Sequence, residues 1–551
     1  MNSHAETPST GNEWWRTAVI YQIYPRSFAD ASGDGVGDLR GITERLGHLE
    51  ALGVDAIWLS PFYTSPQRDA GYDVADFTDV DPLFGNLADF DAMVAEAHTR
   101  GLRVIVDIVP NHTSDQHEWF QRAITAAPGS PERDSYIFRP GRGPSGEEPP
   151  NNWVSVFGGP AWTRLVEADG SPGEWYLHLF DTSQPDLNWA NDAVLEGFDD
   201  VLRFWLDRGV DGFRVDVAHG LIKAEGLPDF VVDETAGSMG SEAQTPPFWA
   251  QEGVHDVWRR WRRVLDSYEG ERILAAEAWV YPLSKMAQWV RSDEMHQAFN
   301  FAYLETPWEA TAMREIIDLS IKEFAAVGAP STWVLSNHDV VRHATRLSLG
   351  AENPQGHGLG PRSIGLPDPA QGLRRARAAT LLMLALPGSS YIYQGEELGL
   401  PEAIDVPDEA REDPTFFRTN GERYGRDGCR VPLPWKADAP AYGFSTTGEA
   451  WLPQPADWRA LARDAQAGVP DSTLEMYTKA LSLRREFATA TATLEWLEDA
   501  PDGCIGFRVG DVSVLANING KPVSLPTGEV LAASSPITDT LPADTTAWVR
   551  T

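Results

Sequence analysis

Asp211-Gly212-Phe213-Arg214-Val215-Asp216 is the stretch that decides the fold. It reads as a buried strand with Arg214 and Asp216 at its far end, and period-two alternation puts both on one face. Charged side chains are seldom buried unless paired or functional. A structural ion pair would account for these two as well as a working site would. The balance shifts because later strands carry further carboxylates at their ends.

Working outward, the same kind of strand recurs. Residues 17–28, 55–61 and 102–109 read as the first three strands, and 210–216 as the fourth. Residues 273–279, 297–304, 332–336 and 390–394 read as the fifth to eighth. Residues 102–109 (LRVIVDIV) are almost wholly apolar, which suits parallel strands covered on both faces. Helical patterns lie between them. One starts near Ile42; another is capped by Asn86, with Leu87, Phe90, Val94 and Ala97 on one face and Gly101 at its stop. A third carries Val194, Leu195, Phe198, Val201, Leu202 and Trp205 and closes at Gly209. Two more run from Leu373 to Leu386 and from Leu474 to Phe487.

Alternating strand and helix specifies a parallel sheet, and eight such units predict an α/β fold with a closed (β/α)₈ TIM barrel. From Thr113 to Leu179 the rhythm breaks, with Pro, Gly and Trp in quantity. A stretch that long is expected to be an inserted domain. After the turn Gly510-Asp511, the alternation of Val512, Val514, Ala516 and Ile518 predicts a C-terminal antiparallel β domain. The expected division is residues 1–112 and 180–489 for the barrel, with a further insertion around 395–460. Residues 113–179 form the inserted domain and 490–551 the C-terminal domain.

At 551 residues the chain exceeds one compact core. Its 45 basic and 81 acidic residues give a net charge of −36, which argues against nucleic acid or an anionic membrane as partner. Only Cys429 and Cys504 occur, in different regions, so neither a disulfide framework nor a Cys-rich metal site follows. Residues 1–11 are polar and lack an apolar signal core, and the longest apolar run, near Leu381 to Leu386, is too short to span a bilayer. A cytoplasmic protein is expected. Nothing in the sequence speaks to oligomeric state.

Chemistry in such a barrel gathers at the C-terminal strand ends. The third strand ends in Asp107, Asn111 and His112, the fourth in Arg214 and Asp216, and the fifth in Glu277. The seventh runs into Asn337-His338-Asp339, with Arg342 just beyond. The positions lack the close His/carboxylate spacing of a metal site. Carboxylates converging on one rim suit glycoside hydrolysis, which needs a nucleophile and an acid on opposite sides of the scissile bond. His117-Glu118 begins like a zinc-protease helix, but Gln121 stands where the second His belongs. No G-x-S-x-G elbow occurs.

Several segments together resemble glycoside hydrolase family 13, the α-amylase family, in its α-glucosidase and oligo-1,6-glucosidase branch. They are YQIYPRSFADASGDGVGDLRGI, GYDVADFTDVDPLFG, DIVPNHTS, QPDLNW, DGFRVD, AEAW, SNHD and YIYQGEELG, in family order over nearly the whole chain. The resemblance implies that Asp216 is the nucleophile and Glu277 the general acid and then base. Asp339 would hold the sugar hydroxyls and stabilise the transition state. His112 and His338 would bind the first glucose, with Arg214 keeping Asp216 ionised. Asp69 would pair with Arg430 to close the pocket, Tyr72 would serve as platform or wall, and Arg342 would belong to the substrate side. Asp107 and Asn111 would be scaffold.

The stretch from Asp30 to Asp38 is similar to half of an EF-hand loop. Asp30, Ser32, Asp34, Asp38 and the Val36 carbonyl would hold a structural Ca²⁺ or Mg²⁺, and no organic cofactor is implied. The implied activity is a retaining, exo-acting α-glucosidase acting on short oligosaccharides. Alternatives are an oligo-1,6-glucosidase, a transglucosidase or trehalose synthase-like enzyme, and a silent sugar-binding subunit. Val217, after the nucleophile, accompanies α-1,6 cleavage in the resembling branch. Ala218-His219-Gly220 is nearer to maltose-cleaving relatives, so α-1,4 bonds are expected to be favoured.

Overall fold

A computed structural model describes residues 13–551 apart from 168, 232–244, 351, 354–355 and 519. The polar stretch 1–11 therefore lies outside the described residues. Eight parallel strands form one sheet. They are β1 (Val19–Ile23), β2 (Ala56–Leu59), β3 (Arg103–Ile108), β4 (Gly212–Val215), β5 (Ile273–Ala276), β6 (Gln297–Ala298), β7 (Thr332–Val334) and β8 (Ser389–Tyr393). The hydrogen-bonded order is β6-β5-β4-β3-β2-β1-β8-β7. A parallel bridge between Phe299 and Thr332, with the Asn300 N–H on the Thr332 carbonyl at 3.0 Å, joins the two ends and closes the barrel.

Every residue of β1, β2, β4, β5 and β8 is buried, as strands covered on both faces require. The lumen is a packed core that includes Ile20, Trp58, Ile105, Ile273, Phe299 and Tyr391. The large helices around the barrel are α1 (Leu39–Leu52), α2 (Leu87–Thr99), α3 (Asp192–Asp207), α4 (Val254–Leu265), α5 (Ala310–Ala325), α6 (Pro369–Leu384) and α7 (Thr473–Phe487). Local chemistry sets their ends. Asn86 accepts the N–H groups of Ala88 and Asp89 at the start of α2, and Asp38 accepts that of Gly41 at the start of α1. Gly53, at φ 93°, ends α1.

The sixth strand is shorter than expected. Only Gln297–Ala298 is extended, and the apolar run continues as a helix over Phe301–Glu305 capped by the Asn300 side chain. A short apolar run fits either state, and here the cap decides.

After β3 the chain forms a helix (Glu118–Thr125) and a three-stranded antiparallel sheet of Phe138–Arg139, Trp162–Val166 and Pro172–Leu177. Its core of Trp153, Trp162 and Leu177 is completed by Leu227 and Phe248, which follow β4. Burying a side chain of that size is worth about 1.5–3 kcal/mol. Leu227 and Phe248 are thus held by the insertion rather than left over solvent. In the C-terminal sheet, Val512–Asn517 is buried on both faces, although its sequence alternates. The sheet packs on α6, where the Trp548 indole donates to the Leu381 carbonyl at 2.9 Å.

Candidate active site

The strand register builds the site. Arg214 lies opposite Asp107 of β3 and Ala275 of β5, one residue before the β5 end that leads to Glu277. Its guanidinium, 1% exposed, donates to Asp107 at 2.9 Å and to Asp216 at 2.6 Å, and stands 3.9 Å from Glu277. One cation faces three carboxylates. Burial is the largest influence on Asp107, Asp216 and Glu277 and raises all three above the usual carboxylate range, with Arg214 opposing it. The group holds more negative charge than Arg214 can balance, so it retains a proton near neutral pH. Asp216 is in direct contact with Arg214, which favours its ionised form, and Glu277 stands farther from that cation. A backbone bond fixes Glu277, since the Val217 N–H donates to Oε2 at 2.8 Å.

Asp339 stands across the pocket under different influences. Burial would raise it, but the His338 N–H beside it and the Arg426 and Arg430 cations overrule this and hold it well below the carboxylate range. Arg430 donates to Asp339 at 2.9 Å and Arg426 at 3.1 Å. His338 is buried, and burial pushes it well below its ordinary value, so it is neutral. The Gln22 amide N–H can only donate, at 2.7 Å, which makes His338 Nδ1 the acceptor and leaves the proton on Nε2, 3.2 Å from Asp339. Tyr72 stacks on His338 with ring centroids 5.2 Å apart, and its hydroxyl donates to Asp107 at 3.0 Å. His112, pushed down to about 4 by burial, contacts the Tyr72 carbonyl and Gln184.

The structure thus brings Asp216, Glu277, Asp339, Arg214, His112, His338, Tyr72 and Asp69 into one linked cluster at the C-terminal barrel mouth. Two expectations need correction. Arg426, not Arg430, bonds Asp69, at 2.8 Å. The 3₁₀ turn Asp427–Cys429 separates the two arginines. It sends Arg430 back to the His338 carbonyl and Asp339, while Arg426 bridges Asp69, Asp339 and Asp413. Arg342 is not on the substrate side. It is fully buried and donates to the Gln394 and Cys429 carbonyls, tying the loop after β7 to those after β8. Val217, at φ 46°, is buried against its own loop.

Gln184, Asp413 and Lys223 were not singled out from the sequence. Gln184 links Asp69 and His112 at 3.1 and 3.2 Å, and its motif QPDLNW was the available signal. Lys223 places a buried ammonium among Asp186 (2.8 Å), Asn111 (2.9 Å) and the Gly220 carbonyl. This oxygen cage would suit a hard cation, and the lysine fills it.

A rim of acidic groups around one guanidinium, on a closed eight-stranded barrel, matches a known family. The chain fits the description "Alpha amylase, catalytic domain" over residues 22–492.

The chain belongs to the α-amylase family.

It is a glycoside hydrolase of that family, with the family's TIM barrel and a C-terminal β domain. A probable alpha-glucosidase of Rhizobium meliloti (strain 1021) is 40% identical over 499 residues, covering 88% of this chain and 85% of that protein. The oligo-1,6-glucosidase of Parageobacillus thermoglucosidasius is 35% identical over 508 residues, covering 86% and 84%. Among solved structures, an alpha-glucosyl transfer enzyme superposes with a TM-score of 0.81 at 35% identity, covering 98% of this chain and 99% of its own.

The α-amylase-family resemblance also pointed to a cation at the Asp30 to Asp38 loop. There Asp30 accepts the N–H groups of Gly33 and Gly35, Asp34 that of Val36, and Asp38 those of Ala31, Ser32 and Gly41. The carboxylates close the loop on itself. Among the described residues no three His, Cys, Asp or Glu side chains gather as a metal ligand set. Among the described residues no helix is long and apolar enough to cross a membrane.

Proposed function

We propose that this chain is a retaining, exo-acting α-glucosidase that releases α-glucose from the non-reducing end of short α-glucosides, with maltose-type α-1,4 bonds favoured. The observation that carries the reading is the closed end of the pocket. There Arg426 ties Asp69 to Asp339 at 2.8 and 3.1 Å, and Gln184 ties Asp69 to His112. A chain cannot thread past such a clasp, so a terminal glucose is what fits.

The proposed chemistry needs Asp216 ionised and Glu277 protonated. Asp216 attacks the anomeric carbon while Glu277 donates its proton to the departing glycosidic oxygen. Glu277, now ionised, takes a proton from water, and that oxygen attacks the same carbon and frees Asp216. Two inversions retain the α configuration. Asp339, held ionised by its two arginines, accepts hydrogen bonds from sugar hydroxyls and stabilises the positive charge that develops on the ring.

The second reading is glucosyl transfer, in which a sugar hydroxyl replaces water. It is supported by the likeness to an alpha-glucosyl transfer enzyme. A silent sugar-binding subunit has no need for three buried carboxylates gathered on one guanidinium. A cytoplasmic location is proposed from cysteine usage, since Cys429 and Cys504 are both free thiols. A structural Ca²⁺ or Mg²⁺ at the Asp30 to Asp38 loop is proposed from its all-oxygen side chains at alternate positions. Chelation should then lower the midpoint of unfolding and added Ca²⁺ restore it, and an unchanged midpoint rejects the cation.

The deciding experiment is a panel of maltose, isomaltose, trehalose, sucrose and p-nitrophenyl α-glucoside, with the released sugar followed by proton NMR. α-Glucose as first product supports the reading, and β-glucose rejects retention. A rapid fall in starch viscosity with little free glucose rejects the closed pocket.

A further inference from the structure

At the opposite end of the barrel from the active site lies a cavity of about 300 Å³. Arg103 from the start of β3, Arg484 and Arg485 from the last turn of α7, Trp14, Thr17 and Asp55 line it. Three guanidiniums face one carboxylate in a chain whose net charge is −36. Basic residues at a helix end ordinarily serve its dipole and its last carbonyls. That explains part of the group. Arg484 is fully buried and donates to the carbonyls of Leu384, Leu386 and Gly388, and Arg485 donates to Gly53 and Asp55.

It does not explain the remaining donors. The Nε of Arg484 is buried with no hydrogen-bond partner. Arg103 lies over the Trp14 ring at 4.6 Å, and among the described residues its side chain makes no hydrogen bond. Arg485 commits only one terminal nitrogen. Arg103 and the uncommitted donors of Arg485 line the cavity, where a ligand that accepts would engage them. A phosphate oxygen matches the planar fork of a guanidinium better than water does. The lining itself holds one carboxylate, Asp55, already paired with Arg485 and the Val19 N–H, while Glu271 stands near Arg103 outside it.

We propose that this cavity binds a phosphate group, free or as a small phosphate ester. The test uses the full-length enzyme, with inorganic phosphate and glycerol phosphate titrated at constant ionic strength against chloride. Binding is read by calorimetry and by the midpoint of unfolding. A saturable, one-to-one signal is expected, and Arg103→Ala with Arg485→Ala should weaken it about tenfold or more, as loss of two charge-assisted contacts requires. Hydrolysis of p-nitrophenyl α-glucoside by the double variant should match wild type, which certifies that it folds. Tighter binding of the ester identifies an esterified ligand, and equal binding identifies free phosphate. The proposal fails if phosphate stabilises no more than chloride, or if the double variant binds as well as wild type.

Discussion

The Val217 N–H donates to Glu277 Oε2 at 2.8 Å, so the residue after Asp216 positions Glu277, the proposed acid. Val217 does this from φ 46°, a region that β-branched residues avoid. Of its environment, Gly220 is the position that permits it. A Cβ at Gly220 would lie 2.6 Å from Val217 Cγ1 and 3.0 Å from Asn111 Oδ1. Gly220→Ala should therefore push Val217 aside and loosen Glu277. Turnover of maltose, a poor leaving group, should fall more than that of p-nitrophenyl α-glucoside. Overpacking should also cost about 1–3 kcal/mol of stability. Equal losses on both substrates would show that Glu277 has not moved.

Asp216 and Glu277 should separate by leaving group. Asp216→Asn removes the attacking oxygen and should abolish turnover of every substrate while leaving the unfolding midpoint nearly unchanged. Glu277→Gln should spare p-nitrophenyl α-glucoside, whose leaving group needs little protonation, and lose maltose by about 10²–10⁴-fold. Steady-state kinetics of the two variants on both substrates checks the assignment.

Arg426 holds three carboxylates, with Asp413 at 2.5 Å beside Asp69 and Asp339. Asp413 is held down to about 2 because Arg426 and Arg430 outweigh its burial. Arg426→Lys loses the fork that reaches all three. It should destabilise the protein by about 3–5 kcal/mol, because buried carboxylates are left unpaired, and it should raise KM for maltose. Arg430→Lys leaves Asp69 paired and should raise KM less. Denaturant unfolding and maltose kinetics on both variants test the order.

Glu396 offers a pH signature away from the chemistry. It is buried, accepting the Tyr393 N–H at 3.0 Å and the Tyr477 hydroxyl at 3.3 Å. Burial pushes its carboxyl up to about 8. A carboxyl raised on folding binds its proton more tightly in the native state. Its contribution is fully present below about pH 4.3, the unfolded value, and is lost as pH rises through about 8. Glu396→Gln should flatten the fall in unfolding free energy over that window. An unchanged slope would rule Glu396 out as its source.

Lys223 should behave as a structural cation. Lys223→Met leaves Asp186 buried and unpaired and should cost about 3–5 kcal/mol. Because Asp186 also accepts from Asn111 at 3.1 Å, beside His112, KM for maltose should rise as well. Loss of stability with an unchanged KM would confine Lys223 to the scaffold.

Much of this was legible before folding. Nearly continuous apolar strands between amphipathic helices point to a parallel sheet covered on both faces, and eight such units point to a barrel. Strand ends carrying Asp216, Glu277 and Asp339 follow at once, since the barrel puts its C-terminal ends on one rim. The caps at Asn86 and Asp38 are local chemistry and could be read locally. The tertiary structure decided what depends on direction rather than spacing. Arg426 and Arg430 are alike in sequence, and a single 3₁₀ turn sends one to Asp69 and the other to Asp339. Arg342 stands near the rim in sequence yet turns into the scaffold, where backbone carbonyls need its donors. Lys223 and Leu227 gain their roles only because the insertion after β3 folds over the loop after β4. Which partner a charged side chain finds is settled by the backbone that aims it, and that aim is set by contacts far apart in the chain.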